Sequence, residues 1–362
     1  MAARRRRVPA ALLLFSLLAA GCTGGGARTA AAVQPTIALL LPESKTARYE
    51  TQDRPRFERR VRELCRACPI LYANANQDAA AQLSQAEAAM SNGADVLVLD
   101  PVDSAAAGGI VAAAKAKGVP VVSYDRLVLE ADVDYYVSFD NERVGELQAR
   151  ALVDRLRELG RERGSLVMIN GSPTDNNASL FKRGAHRVID GSGLRVGAEY
   201  DTPDWSPDRA QQQMEQAITK LGRAAVAGVY AANDGTAGGA VAAMKAAGIG
   251  DLPPVTGQDA ELAGIQRILA GEQYMTVYKA IAPEAEAAAE LALALGRRQP
   301  PPDGLVNASV DNRRRLVPSV LLVPVVVRKE TVKTTVMADD FWSAGQVCTG
   351  RFADPCREAG LL

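Results

Sequence analysis

Short apolar runs alternate with helical patterns along most of this 362-residue chain. Residues 36–41 form a continuous apolar run, which is typical of a parallel strand covered on both faces. Residues 77–92 follow a helical spacing and end at an Asn-Gly pair. The same alternation of helices and strands continues at residues 54–66, 70–74, 96–99, 104–117 and 119–124. It predicts an open, doubly wound parallel α/β sheet with helices on both faces.

The pattern then starts again with a helix at residues 144–159. Alternating strands and helices follow at residues 165–170, 181–189, 195–200, 207–221, 226–231, 236–247, 254–257, 261–270 and 275–278. Because the two sets have similar lengths, they predict two similar lobes and not one large sheet. A helical pattern at 283–295 and extended runs at 319–323 and 325–328 predict a return to the first lobe and then to the second.

This organisation predicts three crossings between the lobes, near Asp140, near Tyr278 and within residues 313–318. The expected division is an N-terminal lobe of residues 34–140 plus 279–313 and a C-terminal lobe of residues 141–278 plus 314–362. Three crossings form a hinge. Since ligands of open α/β sheets bind beyond the carboxyl ends of the strands, a shared cleft between the lobes is predicted.

The N-terminal segment has the pattern of a secretory signal. Four arginines at positions 4–7 precede an apolar run, and Leu18-Ala19-Ala20-Gly21-Cys22 resembles a bacterial lipobox. The apolar run is too short to cross a bilayer, which needs about 20 apolar residues. We therefore predict a lipoprotein signal peptide at residues 1–21, lipidation of Cys22, a flexible tether over residues 22–33 and attachment to the outer face of the cell membrane. The alternative is an ordinary signal peptide with an incidental cysteine.

The charge balance and the absence of catalytic motifs narrow the classes of function. The chain is formally neutral, and removal of residues 1–21 takes away four arginines and no acids, which leaves a net charge of −4. This mildly acidic balance argues against nucleic acid as a partner. His186, the single histidine, lies among basic residues on a predicted helix and is interpreted as a surface residue. With no metal-ligand spacing, no G-x-S-x-G and no P-loop in the sequence, we expect neither an enzyme nor a bound metal or cofactor.

Four cysteines remain once Cys22 is assigned to lipid: Cys65, Cys68, Cys348 and Cys356. They allow three pairings, of which the two local pairs are the simplest. Export to an oxidising compartment favours structural disulfides. A redox function for the C-x-x-C, free thiols and another pairing stay open, although Cys65-Arg-Ala-Cys68 closes a predicted helix and does not open one after a strand.

Polar residues follow the predicted strands at the edge where the cleft is expected. They are residues 44–49, Asp125-Arg126, residues 172–177, Asn233-Asp234, Gln258-Asp259 and Lys279. Arginine, lysine, aspartate and asparagine can donate to and accept from neighbouring hydroxyl groups. Tyr49, and Trp205 in a loop before a helix, offer flat apolar faces for C–H groups. This inventory predicts a site for a neutral polyol such as a sugar ring.

Each of these residues also has a structural interpretation. These are a helix cap for Asp125, a surface salt bridge for Arg126, turn positions for Asn176 and Asn177, a core anchor for Trp205 and an N-cap for Asn233 or Asp234. Each signal is weak alone, and their joint placement after alternating strands favours a binding site.

Several longer segments carry a family resemblance. They include Ser123-Tyr124-Asp125-Arg126, Gly171-Ser172-Pro173, Asp175-Asn176-Asn177-Ala178, Gly257-Gln258-Asp259-Ala260 and Met275-Thr276-Val277-Tyr278-Lys279. In combination these segments resemble the D-xylose-binding proteins of bacterial ABC importers and the related multiple-sugar-binding proteins. The resemblance covers nearly all of residues 36–362. It implies the type I periplasmic binding protein fold, with two doubly wound lobes.

By this resemblance nine residues are sugar contacts: Arg48, Tyr49, Asp125, Arg126, Asn177, Trp205, Asn233, Asp259 and Lys279. Tyr49 stands where the xylose-binding pattern has tryptophan, a change that would admit a different sugar or anomer. The resemblance implies a monomeric receptor that binds xylose or a related pentose or hexose without a cofactor and delivers it to an ABC permease.

Three other functions share this fold. An extracellular sugar sensor that signals to a membrane kinase or chemoreceptor is the main alternative, because the sequence does not separate it from transport. A repressor effector domain would need a helix-turn-helix where the signal peptide stands. A lyase or isomerase would use Asp125, Asp259 and Lys279 as acid and base.

Overall fold

The computed structural model describes residues 33–362. The predicted signal peptide, the lipidation site at Cys22 and all of the predicted tether except Val33 lie outside the described residues. Within the described part no helix combines the length and the apolar content needed to cross a membrane.

The described residues contain twelve strands, in the chain order β1 Ile37–Leu41, β2 Ile70–Asn74, β3 Val96–Leu99, β4 Val121–Tyr124, β5 Tyr135–Phe139, β6 Ser165–Asn170, β7 Arg195–Asp201, β8 Val226–Ala231, β9 Thr276–Tyr278, β10 Ala308–Asp311, β11 Leu316–Leu322 and β12 Val325–Val327. Strands β5 and β10 were not predicted from the sequence. The first lobe contains a seven-stranded sheet in the order β10-β11-β5-β4-β3-β1-β2. All its neighbours are parallel except β10 and β11. The second lobe contains a parallel sheet in the order β7-β6-β8.

Within residues 33–362, eleven α-helices connect and cover these strands, namely α1 Arg54–Leu64, α2 Ala79–Ser91, α3 Gly108–Ala116, α4 Asn141–Glu158, α5 Asn176–Ile189, α6 Pro207–Leu221, α7 Asp234–Ala246, α8 Leu262–Leu269, α9 Ile281–Gly296, α10 Ala344–Val347 and α11 Ala353–Glu358. In β1, Ile37 and Leu39 pack against α1 and α9, whereas Ala38 and Leu40 pack against α2 and α3. Strand β6 is likewise covered by α4 and α5 on one face and by α6 and α7 on the other. The predicted doubly wound α/β fold is confirmed.

One predicted strand, residues 254–257, is reduced to a single parallel bridge between Val229 and Val255. Pro253 and Pro254 lack the N–H groups that a regular ladder requires. A second bridge, from Gln258 to Val277, continues the second lobe to the antiparallel pair β9–β12.

The chain passes between the lobes three times in the described residues, at Asp140, between β9 and α9, and between β11 and β12. The last crossing corrects the expected division, which places residues 314–362 in the C-terminal lobe. Strand β11 pairs in parallel with β5 of the first sheet. Its residues Val317 and Val320 are buried in the two cores of that lobe, and this burial keeps the strand there.

The C-terminal segment after β12 packs against α8 and β9 around Phe341, Trp342 and Val347. A disulfide joins Cys348 to Cys356 within this segment, and a second one among the described residues joins Cys65 to Cys68. These are the two local pairs. Cys65 and Cys68 close the end of α1 inside the first-lobe core.

Helices α4 and α5 approach each other at backbone distance. A Cβ added to Gly145 would lie 1.9 Å from the carbonyl oxygen of Phe181, and one added to Gly184 would lie 2.0 Å from that of Glu142. Glycine is therefore required at both positions by the closeness of the neighbouring helix. The contact also fixes the position of Phe181 on α5.

We expect Gly145→Ala to lower the free energy of unfolding by about 2–3 kcal/mol, because the methyl group forces two packed helices apart. Gly109→Ala, at an exposed position of α3 with no atom within 4 Å of the added Cβ, is the matched control. It should raise stability by about 0.4–1 kcal/mol, since alanine restricts the unfolded chain. Urea unfolding of the two variants measures both effects, and equal stabilities would contradict the prediction.

Candidate ligand-binding site

A buried cavity lies between the lobes, beyond the carboxyl ends of their strands. About 250 Å³ of space not filled by atoms lies among its lining residues. All nine residues that the resemblance implies as contacts line it, together with Thr46, Asp175, Phe181 and Gln258. A larger surface depression near Arg161 and Arg223 precedes β6 and β8, at the opposite end of the second lobe.

Arg48 enters the cavity from a π-helical turn, Tyr49–Asp53, that precedes α1. Its Nε and Nη2 donate to the carboxylate of Asp53 at 2.9 and 2.6 Å, and Nη2 also donates to Glu284 on α9 at 2.7 Å. These acids hold the guanidinium from behind. Its Nη1 is thereby directed into the cavity, 3.3 Å from Asp125 Oδ1 and 3.7 Å from Asp259 Oδ1.

Asp125 follows β4 in a left-handed conformation with φ of 51°. Its Oδ1 lies 3.3 Å from both Arg48 and Lys279, and its Oδ2 accepts a hydrogen bond from the Tyr49 hydroxyl at 2.9 Å. Burial raises the pKa of Asp125, but the charges of Arg48 and Lys279 outweigh it and hold that pKa well below the ordinary value. Asp125 is thus an ionised acceptor and not a helix cap.

Arg126 is buried and not a surface residue, with 2% of its side chain exposed. Its Nε lies 2.9 Å from Asp175 Oδ2 across the lobe boundary. On its other side it lies 3.6 Å from Asp100 and 3.8 Å from Glu43. Burial raises the pKa of Asp100 well above its ordinary value, although the Arg126 charge acts in the opposite direction.

Trp205 forms one wall of the cavity. Its indole Nε1 donates to Asp175 at 3.1 Å, and its ring meets Phe181 edge to face at 6.3 Å. The other side of the ring presses on Gly171, where an added Cβ would lie 2.0 Å from the indole. Trp205 is therefore both a packed aromatic and part of the cavity wall, and its contact with a sugar stays a prediction.

Two asparagines of the second lobe also reach the cavity. Asn233 is the N-cap of α7, and its Oδ1 accepts from the backbone N–H of Thr236 at 2.8 Å. Asn177, in the first turn of α5, donates to the backbone carbonyl of Asp125 at 3.0 Å and accepts from Asn141 at 2.9 Å. Asn177 thus links the two lobes directly.

Asp259 and Lys279 complete the polar lining. Asp259 has a left-handed backbone with φ of 88°, and its Oδ1 lies 3.4 Å from Lys279 Nζ. Non-glycine residues in this conformation are strained, and such strain is concentrated at functional sites. The Lys279 ammonium also lies above the rings of Phe139 and Phe181 at 5.5 and 5.9 Å. Its partner carboxylates raise the pKa of Lys279 more than burial lowers it.

Asp234, next to the N-cap of α7, supports the segment that carries Asp259. It accepts from the backbone N–H of Glu261 at 2.9 Å, from Gln273 at 2.6 Å and from Thr276 at 3.1 Å. Burial raises the pKa of Asp234 to about 7, although Arg267 acts in the opposite direction. This carboxyl has a structural function and does not line the cavity.

The charges that line the cavity balance. Three cations, Arg48, Arg126 and Lys279, face three carboxylates, Asp125, Asp175 and Asp259. A neutral ligand enters such a site without leaving a buried charge unpaired. Among the described residues no cluster of histidine, cysteine, aspartate or glutamate is arranged to hold a metal. The arrangement can bind a polar neutral molecule through hydrogen bonds to charged groups and through two aromatic faces.

Some contributors were not identified from the sequence. Phe181 has no mark beyond its apolar position on a helix. Asp53 and Glu284 orient Arg48 although neither follows a strand. The position of Glu284 in the sequence could have identified it, because it lies on the same apolar face of α9 as Ala288 and Leu291. An acid on an apolar helix face indicates a buried polar partner.

The two hinged α/β lobes and the buried polar cavity between them define a bilobal substrate-binding protein. Residues 37–299 match the family model described as "Periplasmic binding protein domain". The chain belongs to this family.

Two relatives show how close the similarity is. The chain is 39% identical over 316 residues to the D-xylose-binding periplasmic protein of Escherichia coli, which covers 86% of this chain and 92% of the relative. It is 31% identical over 334 residues to a multiple sugar-binding periplasmic receptor of Rhizobium radiobacter, covering 88% and 93%. The resemblance seen in the sequence motifs is confirmed. Both relatives are named as binding proteins or receptors, in agreement with the expectation that the chain is not an enzyme.

Solved structures show the same architecture. An ABC transporter solute binding protein from Clostridium phytofermentans with bound β-D-glucose superimposes with a TM-score of 0.79 at 29% identity, covering 86% of this chain and 99% of that one. A carbohydrate transporter solute binding protein from Chloroflexus aurantiacus in complex with D-glucose gives a TM-score of 0.79 at 29% identity, covering 87% and 98%.

We expect Asp234→Asn to change the pH dependence of stability. Because the folded-state pKa of Asp234 is raised to about 7, its stabilising effect is complete below the unfolded pKa of about 3.9 and is lost as pH rises through about 7. Asparagine loses an acceptor at both pH values but stays neutral, so the melting temperature of the variant relative to wild type should be higher at pH 8 than at pH 5.

The control is Asp208→Asn, which removes an exposed carboxylate on α6. Its difference from wild type should be the same at both pH values. Thermal unfolding at pH 5 and pH 8 measures both variants. If the Asp234→Asn difference also does not change with pH, the assignment of the titration to Asp234 is wrong.

Proposed function

We propose that this protein is a lipid-anchored extracytoplasmic receptor for a neutral monosaccharide, xylose or a related pentose or hexose. In this proposal it delivers the sugar to an ABC permease. The carrying observation is the single cavity lined by all nine expected contact residues, with balanced charge and two aromatic walls. The names of the relatives support the ligand class, since they include a D-xylose-binding protein and solute binding proteins with bound glucose.

The position of the cavity supports a clamping mechanism. Arg48, Asp125 and Arg126 belong to the first lobe, while Trp205 and Asp259 belong to the second. A sugar that touches both sets binds the closed arrangement better than the open one. Its differential affinity therefore favours closure about the three crossings. The closed receptor is the form that a permease would recognise, and in this scheme the protein itself catalyses no reaction.

The polar lining supports selection by hydroxyl groups. Each sugar hydroxyl that hydrogen-bonds to a charged side chain of the site leaves neither the hydroxyl nor that side chain buried without a partner. A missing partner costs roughly 1–3 kcal/mol. An anionic sugar would add a fourth negative charge to a lining of three cations and three carboxylates. We therefore expect neutral sugars to bind and sugar acids to be rejected.

We expect calorimetric titration of the protein to give heat with at least one of D-xylose, D-glucose, D-ribose, D-galactose and xylitol. At a hundred times Kd the sugar should stabilise the protein by about 2.7 kcal/mol and raise its melting temperature by several degrees. D-Glucuronate at the same concentration is the charged control and should have no effect. Absence of heat and of a melting shift with every neutral sugar would refute the proposal.

The chain offers a second readout because it contains two tryptophans, Trp205 and Trp342. Trp205 lines the cavity, whereas Trp342 is buried in the C-terminal segment. Trp205→Phe should abolish the sugar-induced fluorescence change, and Trp342→Phe should retain it.

The anchoring part of the proposal depends on Leu18-Ala19-Ala20-Gly21-Cys22. Expressed at full length in a bacterium that processes lipoproteins, wild type should fractionate with the membrane and carry a mass increase on its N-terminal peptide. Cys22→Ser should lose both the modification and the membrane association, while Thr23→Ser should keep them. Membrane association of the serine variant equal to wild type would rule out lipidation at this cysteine.

A further inference from the structure

Tyr49 lines the cavity, and its hydroxyl is hydrogen-bonded to a carboxylate that lines it as well. It donates to Asp125 Oδ2 at 2.9 Å. The other oxygen, Oδ1, already receives Arg48 Nη1 and Lys279 Nζ, each at 3.3 Å. Both carboxylate oxygens of Asp125 are therefore engaged by the protein.

Asp259, across the cavity, differs. Its Oδ2 accepts from the side chain of Gln258 at 3.0 Å. Its Oδ1 accepts no hydrogen bond from any described residue and lies 3.4 Å from Lys279 Nζ and 3.7 Å from Arg48 Nη1. Asp125 and Asp259 both lie close to Lys279 Nζ. Asp259 Oδ1 can still accept a hydrogen bond from a ligand hydroxyl, whereas Asp125 Oδ2 already accepts one from the Tyr49 hydroxyl.

The tyrosine ring cannot easily leave this position. It is 2% exposed. The guanidinium groups of Arg48 and Arg126 lie 5.3 and 5.6 Å from its centre, within the range of cation–π attraction. The phenol is therefore a fixed part of the cavity wall, in the region between the two arginines.

We propose that the Tyr49 hydroxyl replaces one hydroxyl of the ligand as the hydrogen-bond donor to Asp125, so that the receptor accepts monosaccharides lacking that hydroxyl. This inference rests on the proposed function. A buried carboxylate oxygen left without a donor costs affinity, and for this reason sites that bind a hydroxyl normally reject the deoxy analogue. Here the protein supplies the donor, and the missing sugar hydroxyl leaves no group of Asp125 unpaired. The ligand class thus includes deoxy-sugars alongside their parents.

The test is a double-mutant cycle between Tyr49→Phe and single hydroxyl groups of the ligand. Calorimetry would give Kd for D-xylose, D-glucose and the monodeoxy analogues of each, with wild type and with the variant. In wild type one analogue should bind within about threefold of its parent. In Tyr49→Phe the same analogue should lose about tenfold or more relative to that parent, because Asp125 Oδ2 is then unpaired.

Tyr72→Phe is the matched control, since it also removes a tyrosine hydroxyl that donates to a carboxylate, that of Glu50, outside the cavity. It should leave every ratio of analogue to parent unchanged. If Tyr49→Phe weakens all sugars by the same factor, Tyr49 is only structural and the inference is overturned.

Two further outcomes separate this inference from the proposed function. If wild type itself discriminates more than tenfold against every monodeoxy analogue, the inference fails even when Tyr49→Phe does not fold. If wild type binds no neutral monosaccharide, the proposed function fails instead.

Discussion

The site depends on one interaction, the hydrogen-bonded pairing of the buried Arg48 guanidinium with carboxyl groups where the two lobes meet. Arg48 is almost inaccessible to water, and such a charge is tolerated only when it is paired and hydrogen-bonded. Asp53 and Glu284 accept hydrogen bonds from it behind the cavity and fix the direction of its remaining donor. Glu284 belongs to α9, the helix that follows the second crossing and returns to the first lobe. Its contact with Arg48 therefore ties that returning helix to a residue of the cavity wall. The π-helical turn at Tyr49–Asp53 follows Arg48 directly and brings Asp53 back to its guanidinium.

The second organising feature is the continuity of polar contacts across the lobe boundary. Arg126 meets Asp175, Asn177 meets the backbone of Asp125, and Lys279 lies between carboxylates of both lobes. The side chains in these contacts are buried where the lobes meet. Burial makes such interactions stronger and makes unpaired members costly. Within the described residues, lining atoms such as Arg126 Nε, Gln258 Oε1 and Asp259 Oδ1 have no hydrogen-bond partner, so a ligand that supplies those partners is favoured over one that does not.

Much of the fold could be predicted because it depends on local pattern. Continuous apolar runs separated by helical spacing define parallel strands, and parallel strands place their carboxyl ends at one edge. The polar residues after those strands therefore converge, and Asp125, Arg126 and Asp259 are found in one cavity. The family resemblance then selected among them, for example Asn177 over Asn176.

Other features depend on long-range packing and could not be predicted. The return of β11 to the first sheet is decided by burial of Val317 and Val320, which no local spacing records. Phe181 reaches the cavity because glycines at 145 and 184 let α5 approach α4. The hydrogen bond between Tyr49 and Asp125 joins residues 76 positions apart. A sequence pattern locates such residues on elements but does not show which atoms meet.

The C-terminal segment has a consequence for how tightly a ligand is held. The Trp342 indole donates to the carbonyl of Ala260, beside Asp259, while the neighbouring Phe341 carbonyl accepts from Gln52 at the first-lobe turn that holds Arg48. The C-terminal segment thus contacts both lobes behind the cavity, and separating the lobes would break one of these two hydrogen bonds. Apparent affinity falls in proportion to the fraction of molecules in the binding-competent form. Substitutions at Phe341 or Trp342 would therefore change the apparent affinity for a ligand without altering any residue that lines the cavity.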